Sequence, residues 1–170
     1  YANVDGFGHE AAEIPVGERP EIDQWIISLL NSLVREVNEH YEQYEPTRAA
    51  RVIQDFVIEN LSNWYVRLNR KRYWGGDSSN DKLAAYQTLY TCLETVALLA
   101  APIAPFFMDK LFNDLNSVTG HYSDESVHLA AFPSFDASLI DPELEKRMEV
   151  AQQLTSMVLG LRRKVNIKVR

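Results

Sequence analysis

The run Asn63-Trp64-Tyr65-Val66-Arg67-Leu68-Asn69-Arg70-Lys71-Arg72-Tyr73-Trp74 interleaves four cations with four aromatic rings and holds no acid, in a chain whose formal net charge is -7. A guanidinium fork can donate two hydrogen bonds to one phosphate, and a flat ring can stack on the π-face of an unpaired base. That combination of side chains is the chemistry of a nucleic-acid contact. At helical spacing Asn63, Arg67, Arg70 and Trp74 share one stripe, and Val57, Leu61, Trp64 and Leu68 share a neighbouring stripe expected to face a core. Arg67, Arg70, Lys71 and Arg72 are candidates for backbone phosphates, Asn63 and Asn69 for a sugar or base edge, and Tyr73 and Trp74 for stacking. The competing reading is that cations near a helix end complement its dipole, or lie on a solvated face for no ligand.

A second basic block, Arg162, Arg163, Lys164, Lys168 and Arg170, brings the two clusters to nine of the 17 lysines and arginines. The positive charge is therefore local, and the acidic whole argues against a general nucleic-acid binder. Other chemistry is hard to assemble. The four histidines have no i, i+4 pair for a metal, and a lone Cys92 offers neither a disulfide nor a cysteine cage. Glu10 with Glu13, or Asp124 with Glu125, read as solvated charges, and no nucleophile, base and orienter can be grouped. At 170 residues, 46% hydrophobic, the chain suits one domain without a membrane span or secretion signal, expected in a reducing cytoplasm.

The elements that must position these residues are helices. Residues 1–20 read as an irregular lead-in. From Glu21 to about Glu45, Ile22, Trp25, Ile26, Leu29, Leu33, Val37, Tyr41 and Tyr44 step by three or four. Pro46 stops that helix and opens a second, expected to run without interruption into the basic-aromatic stretch. Residues 75–80 break it, with Ser79 or Asn80 as cap for a third helix whose inner stripe is Leu83, Tyr86, Leu89, Tyr90, Leu93, Val96, Ala97 and Ala100. Pro102 and Pro105 lead into a short fourth helix with Phe106, Leu111, Phe112 and Leu115 inward. Residues 116–140 read as loop, with an extended candidate at Val127-His128-Leu129. Asp141-Pro142 caps a long fifth helix with Leu144, Met148, Ala151, Leu154, Val158, Leu161 and Val165 as its apolar stripe. Period-two alternation over 165–170 predicts the start of a strand whose partners lie beyond Arg170. The fold class is all-α, an antiparallel bundle of about five helices, and the lack of an initiator methionine marks the chain as an expected excised piece.

Leu61-Ser62-Asn63-Trp64-Tyr65-Val66-Arg67-Leu68-Asn69-Arg70-Lys71-Arg72-Tyr73-Trp74 resembles the signature helix of the tRNA anticodon-binding domain of isoleucyl-tRNA synthetases, class I aminoacyl-tRNA synthetases. Glu21-Ile22-Asp23-Gln24-Trp25-Ile26-Ile27-Ser28 is similar to the family's opening helix, with Gln24 where arginine is common. Ala101-Pro102-Ile103-Ala104-Pro105-Phe106 resembles its double-proline turn, and Ser126-Val127-His128-Leu129 with Phe132-Pro133 another block. Leu161 through Arg170 is similar to the junction leading to the C-terminal region, so the landmarks span nearly the whole chain.

The resemblance implies a helical bundle that grips the anticodon stem and loop of isoleucine-accepting tRNA, with the remaining synthetase domains as further partners. It implies ATP and Mg for the parent reaction and no cofactor in this piece, which carries neither His-x-Gly-His nor Lys-Met-Ser-Lys-Ser. The alternatives are a helical protein-interaction module, or the equivalent domain of a valyl- or leucyl-type synthetase.

Overall fold

The computed structural model describes residues 2, 5–8, 12–74 and 79–166, which form two compact units, Tyr1–Ile140 and Asp141–Arg170. In the first unit, helix α1 (Glu21–Glu42) and helix α4 (Asn80–Ala100) run side by side as the buried centre. Between them in sequence lie α2 (Pro46–Asp55), a π-helical segment (Phe56–Val66) and the short α3 (Arg70–Trp74), returning antiparallel to α1; α5 (Pro105–Thr119) returns along α4. The result is an all-α, up-down-up-down bundle. The second unit is α6 (Pro142–Lys164).

Local chemistry sets the boundaries. Pro46, Pro105 and Pro142 each occupy the first turn of a helix, where the missing N–H costs nothing. The Ser79 hydroxyl accepts the Lys82 N–H, and the Asp141 carboxylate accepts those of Glu143 and Leu144, so two caps fall where expected. α5 ends on Gly120 at φ +60°, the left-handed conformation glycine adopts without a Cβ penalty. Trp25, Ile26 and Val37 of α1 and Ala85, Cys92, Ala97 and Leu99 of α4 are almost wholly removed from solvent, Ala85 packing with Tyr73 and Ala97 with Phe112.

Several expectations are corrected. The second predicted helix is not continuous. Wide π turns over Phe56–Val66 and a break at Asn69 shift its register, so the inward positions are Ile53, Phe56, Leu61, Tyr65, Asn69 and Tyr73, with a step of five between Phe56 and Leu61. Val57 and Trp64 are only partly covered and Leu68 is 55% exposed. Tyr44 leaves the core because α1 ends at Glu42 and the chain turns through Tyr44 at φ +58°. Phe106 is 91% exposed, since it follows directly on the double-proline turn and precedes the part of α5 that meets α4. Val127-His128-Leu129 is a turn closed by the Leu129 N–H on the Ser126 carbonyl, with Val127 alone buried. In α6 only Leu144 of the expected stripe is buried. Val165 and Asn166 form a turn, and the rest of the expected strand, with Lys168 and Arg170, lies outside the described residues.

The lead-in is partly anchored. Tyr86 donates to Asp5 at 2.6 Å, Lys82 pairs with the same carboxylate, and Phe7 lies against Tyr86 and Tyr90.

Candidate nucleic-acid interface

The basic-aromatic stretch divides into two sets of side chains. Arg72 is turned inward. Its Nη1 and Nη2 donate to the two oxygens of fully buried Asp23 at 2.7 and 2.8 Å, its Nε reaches Asp81 at 3.0 Å, and its Nη1 also meets Asn69 Oδ1. Burial works against the charge, but the hydrogen bonds and field of Asp23 outweigh it and raise the arginine's pKa. Tyr65 donates to the same carboxylate at 2.7 Å, and burial first, then the neighbouring Tyr73 and Asp23, pushes its phenol far up. Asn69 donates from Nδ2 to the Tyr65 carbonyl at 2.8 Å, where the helix breaks. Tyr73 packs against Tyr86 and Ala85, and burial raises its phenol as well.

Asn69, Arg72 and Tyr73 are therefore engaged inside the bundle, and their expected exposure to a ligand is corrected. The reason is the register shift upstream, which rotates these three toward α1 and α4. The buried Asp23, absent from the expected core of α1, organises the network. Its signal in the sequence was an acid two residues before Trp25 on an otherwise apolar face.

The other set faces out. Asn63, Arg67, Arg70 and Lys71 are exposed, and Trp74 is 60% exposed at the end of α3. Asn63 reaches Glu59 at 3.4 Å, a long surface contact. Among the described residues, no carboxylate lies within ion-pair distance of Arg67, Arg70 or Lys71. The Asp23 network fixes α3 against α1 and α4 from within, so α3 carries two solvated cations, Arg70 and Lys71, and an indole on its outer side, with Arg67 exposed just before it. In α6, Arg163 and Lys164 are exposed and Arg162 is partly covered.

A second aromatic surface, on residues expected in the core or not singled out, lies elsewhere on the bundle. The α1 and α4 C-termini meet where Tyr41 donates to the Leu99 carbonyl at 3.0 Å, which places the turns carrying Tyr44 and Phe106-Phe107 at the end of the bundle opposite α3. Tyr44, Phe106 and Phe107 are among the most exposed large apolar side chains. The signal was positional, since residues beside a Pro-started helix turn have little core to face. Among the described residues, no cluster of three or more His, Cys, Asp or Glu could hold a metal, and no helix is long and apolar enough to cross a membrane.

Residues 23–170 match the family described as the anticodon-binding domain of tRNA ligase. The chain is similar over its whole length to isoleucine–tRNA ligases: 64% identical to that of Bacteroides thetaiotaomicron, 59% to that of Cytophaga hutchinsonii and 44% to that of Dehalococcoides mccartyi. It spans 15% of the first two relatives and 17% of the third, so it corresponds to one segment of a ligase. The outward cations, the helical bundle that holds them and the match over most of its residues agree, and the chain belongs to the anticodon-binding domain family of tRNA ligases.

Proposed function

We propose that this segment grips the anticodon stem and loop of isoleucine-accepting tRNA for an isoleucine–tRNA ligase working in the cytoplasm, and that it carries none of the ATP- and Mg-dependent charging chemistry itself. The observation that carries the reading is the outward set Arg67, Arg70, Lys71 and Trp74, on and just before a helix fixed from behind. Backbone phosphates would meet the cations, an unpaired base would stack on Trp74, and Asn63 would reach a sugar or base edge. Arg162, Arg163, Lys164, Lys168 and Arg170 would form a second contact. Similarity to isoleucine enzymes over the whole chain supports the choice of tRNA over the valine and leucine types.

Titration of tRNA at two salt concentrations tests the class of partner. A phosphate-led contact loses affinity steeply as salt rises, whereas an apolar protein interface changes little. Weak salt dependence would favour the protein-interaction module. The exposure of Phe106 and Phe107 favours a second placement of the unpaired bases, at the opposite rim. Phe106→Ala with Phe107→Ala would then lower affinity at unchanged salt slope, while Trp74→Ala would not.

A further inference from the structure

Helix α3 is five residues long and follows a break at Asn69, so its own hydrogen bonds cannot hold it. Its place depends on the two side chains it turns inward, Arg72 and Tyr73. Arg72 is fixed by the Asp23 network. Tyr73, next to Trp74, has no comparable polar hold, since its hydroxyl meets the Ala85 carbonyl at 3.5 Å, the outer limit of a hydrogen bond. Packing has to seat it instead. Its ring lies 5.4 Å from that of Tyr86, and the Tyr86 ring lies 5.5 Å from Phe7. Tyr73, Ala85 and Tyr86 form one buried cluster, and among the described residues Ala2, Phe7 and Leu89 pack against it. Two of those three belong to the lead-in.

The lead-in is shaped for this contact. The Phe7 N–H closes a turn on the Ala2 carbonyl at 2.9 Å, with Gly6 at φ +68°, a conformation glycine adopts without a Cβ penalty. Asp5, in the same turn, accepts the Tyr86 hydroxyl and pairs with Lys82, the neighbour of the Asp81 that meets Arg72. The turn and α3 are thus both anchored on the first two turns of α4.

We infer that Phe7 is a positioning residue for RNA binding: packed behind Tyr86 and Tyr73, it holds the last turn of α3 so that the Trp74 indole stands ready for an unpaired base. Phe7 acts through the tyrosines and touches no RNA. Without it the Tyr73–Tyr86 pair is open on one side, and the end of α3 leaves its seat while Arg72 keeps the start in place. The inference rests on the reading of Trp74 as a base-stacking residue.

The test uses the full ligase that carries these residues, with Phe7→Ala, Phe7→Leu, Trp74→Ala and the double variant Phe7→Ala with Trp74→Ala. Hydrogen exchange of the peptide spanning 70–74 is read without tRNA, and tRNA affinity is read at two salt concentrations. In Phe7→Ala, exchange over 70–74 is expected to quicken at least about tenfold through local opening. Affinity should fall at least about threefold, by the inverse of the competent fraction, with the salt slope unchanged because the phosphate contacts stay. Phe7→Leu refills most of the space and should recover most of both. The double variant should bind no more weakly than Trp74→Ala, since the two substitutions remove one contact. Unchanged exchange in Phe7→Ala would overturn the inference, and so would additive losses in the double variant. A loss in Trp74→Ala with none in Phe7→Ala would overturn this inference alone. A Trp74→Ala ligase with the parent's affinity would overturn the base-stacking reading beneath it, so the two failures are told apart.

Discussion

Arg72 and Asp23 form a two-pronged ion pair, 2.7 and 2.8 Å, that ties the basic helix to the first helix of the bundle from inside. Its aspartate is fully buried and is shared with the Tyr65 hydroxyl. Removing one partner leaves the other charge or hydroxyl without compensation. Asp23→Ala is expected to cost about 3 to 5 kcal/mol, measured by urea unfolding. A loss below about 1 kcal/mol would mean that the pair does not hold α3 in place.

The π-helical register separates two leucines that the heptad-like spacing treats alike. Leu61 is buried and Leu68 is 55% exposed. Leu61→Ala should cost about 2 to 5 kcal/mol, and Leu68→Gln should fall within about 0.5 kcal/mol of the parent. Large costs at both positions would restore an uninterrupted α-helix through this region.

Cys92 sits in α4 with no exposed surface, and burial pushes its thiol well above the ordinary range. In native protein it should react with a disulfide reagent only as fast as the bundle opens, and at once in denaturant. Rapid reaction in native buffer would show that the core around it is not closed.

The turn at 126–129 depends on Asp109. Its carboxylate accepts Ser126 Oγ at 2.6 Å and the Val127 N–H at 3.0 Å, and these bonds, the serine's first, lower its pKa from 3.8. A carboxylate with a depressed folded pKa contributes stability above its unfolded pKa and loses it as pH falls through the folded value. Asp109→Ala should therefore lower the urea midpoint at pH 7, and the difference from the parent should shrink as pH drops below about 3.8. A difference that stays constant down to the acid limb would contradict this anchoring role.

Long apolar periodicity made the helices legible. α1, α4 and α5 begin within a residue or two of expectation because proline and serine mark their starts. Regular helical spacing gives the wrong period for the basic-aromatic stretch, since no residue between Phe56 and Leu61 announces a π turn and a single added position rotates everything after it. That rotation divides the basic block, leaving Arg67, Arg70 and Lys71 outside and taking Arg72 in. Composition alone could not make this division, because an arginine looks the same whether it is to meet a phosphate or an aspartate 49 residues away. Spacing alone marks the apolar stripe of α6.

The most direct measurement is the salt dependence of tRNA affinity for the parent chain and for Arg70→Ala. The outward-facing arginine is expected to contribute one phosphate contact, so its loss should weaken binding and reduce the slope of log K against log salt by about 0.7 to 0.9. An Arg70→Ala chain with the parent's affinity and slope would contradict the assignment of this face to RNA.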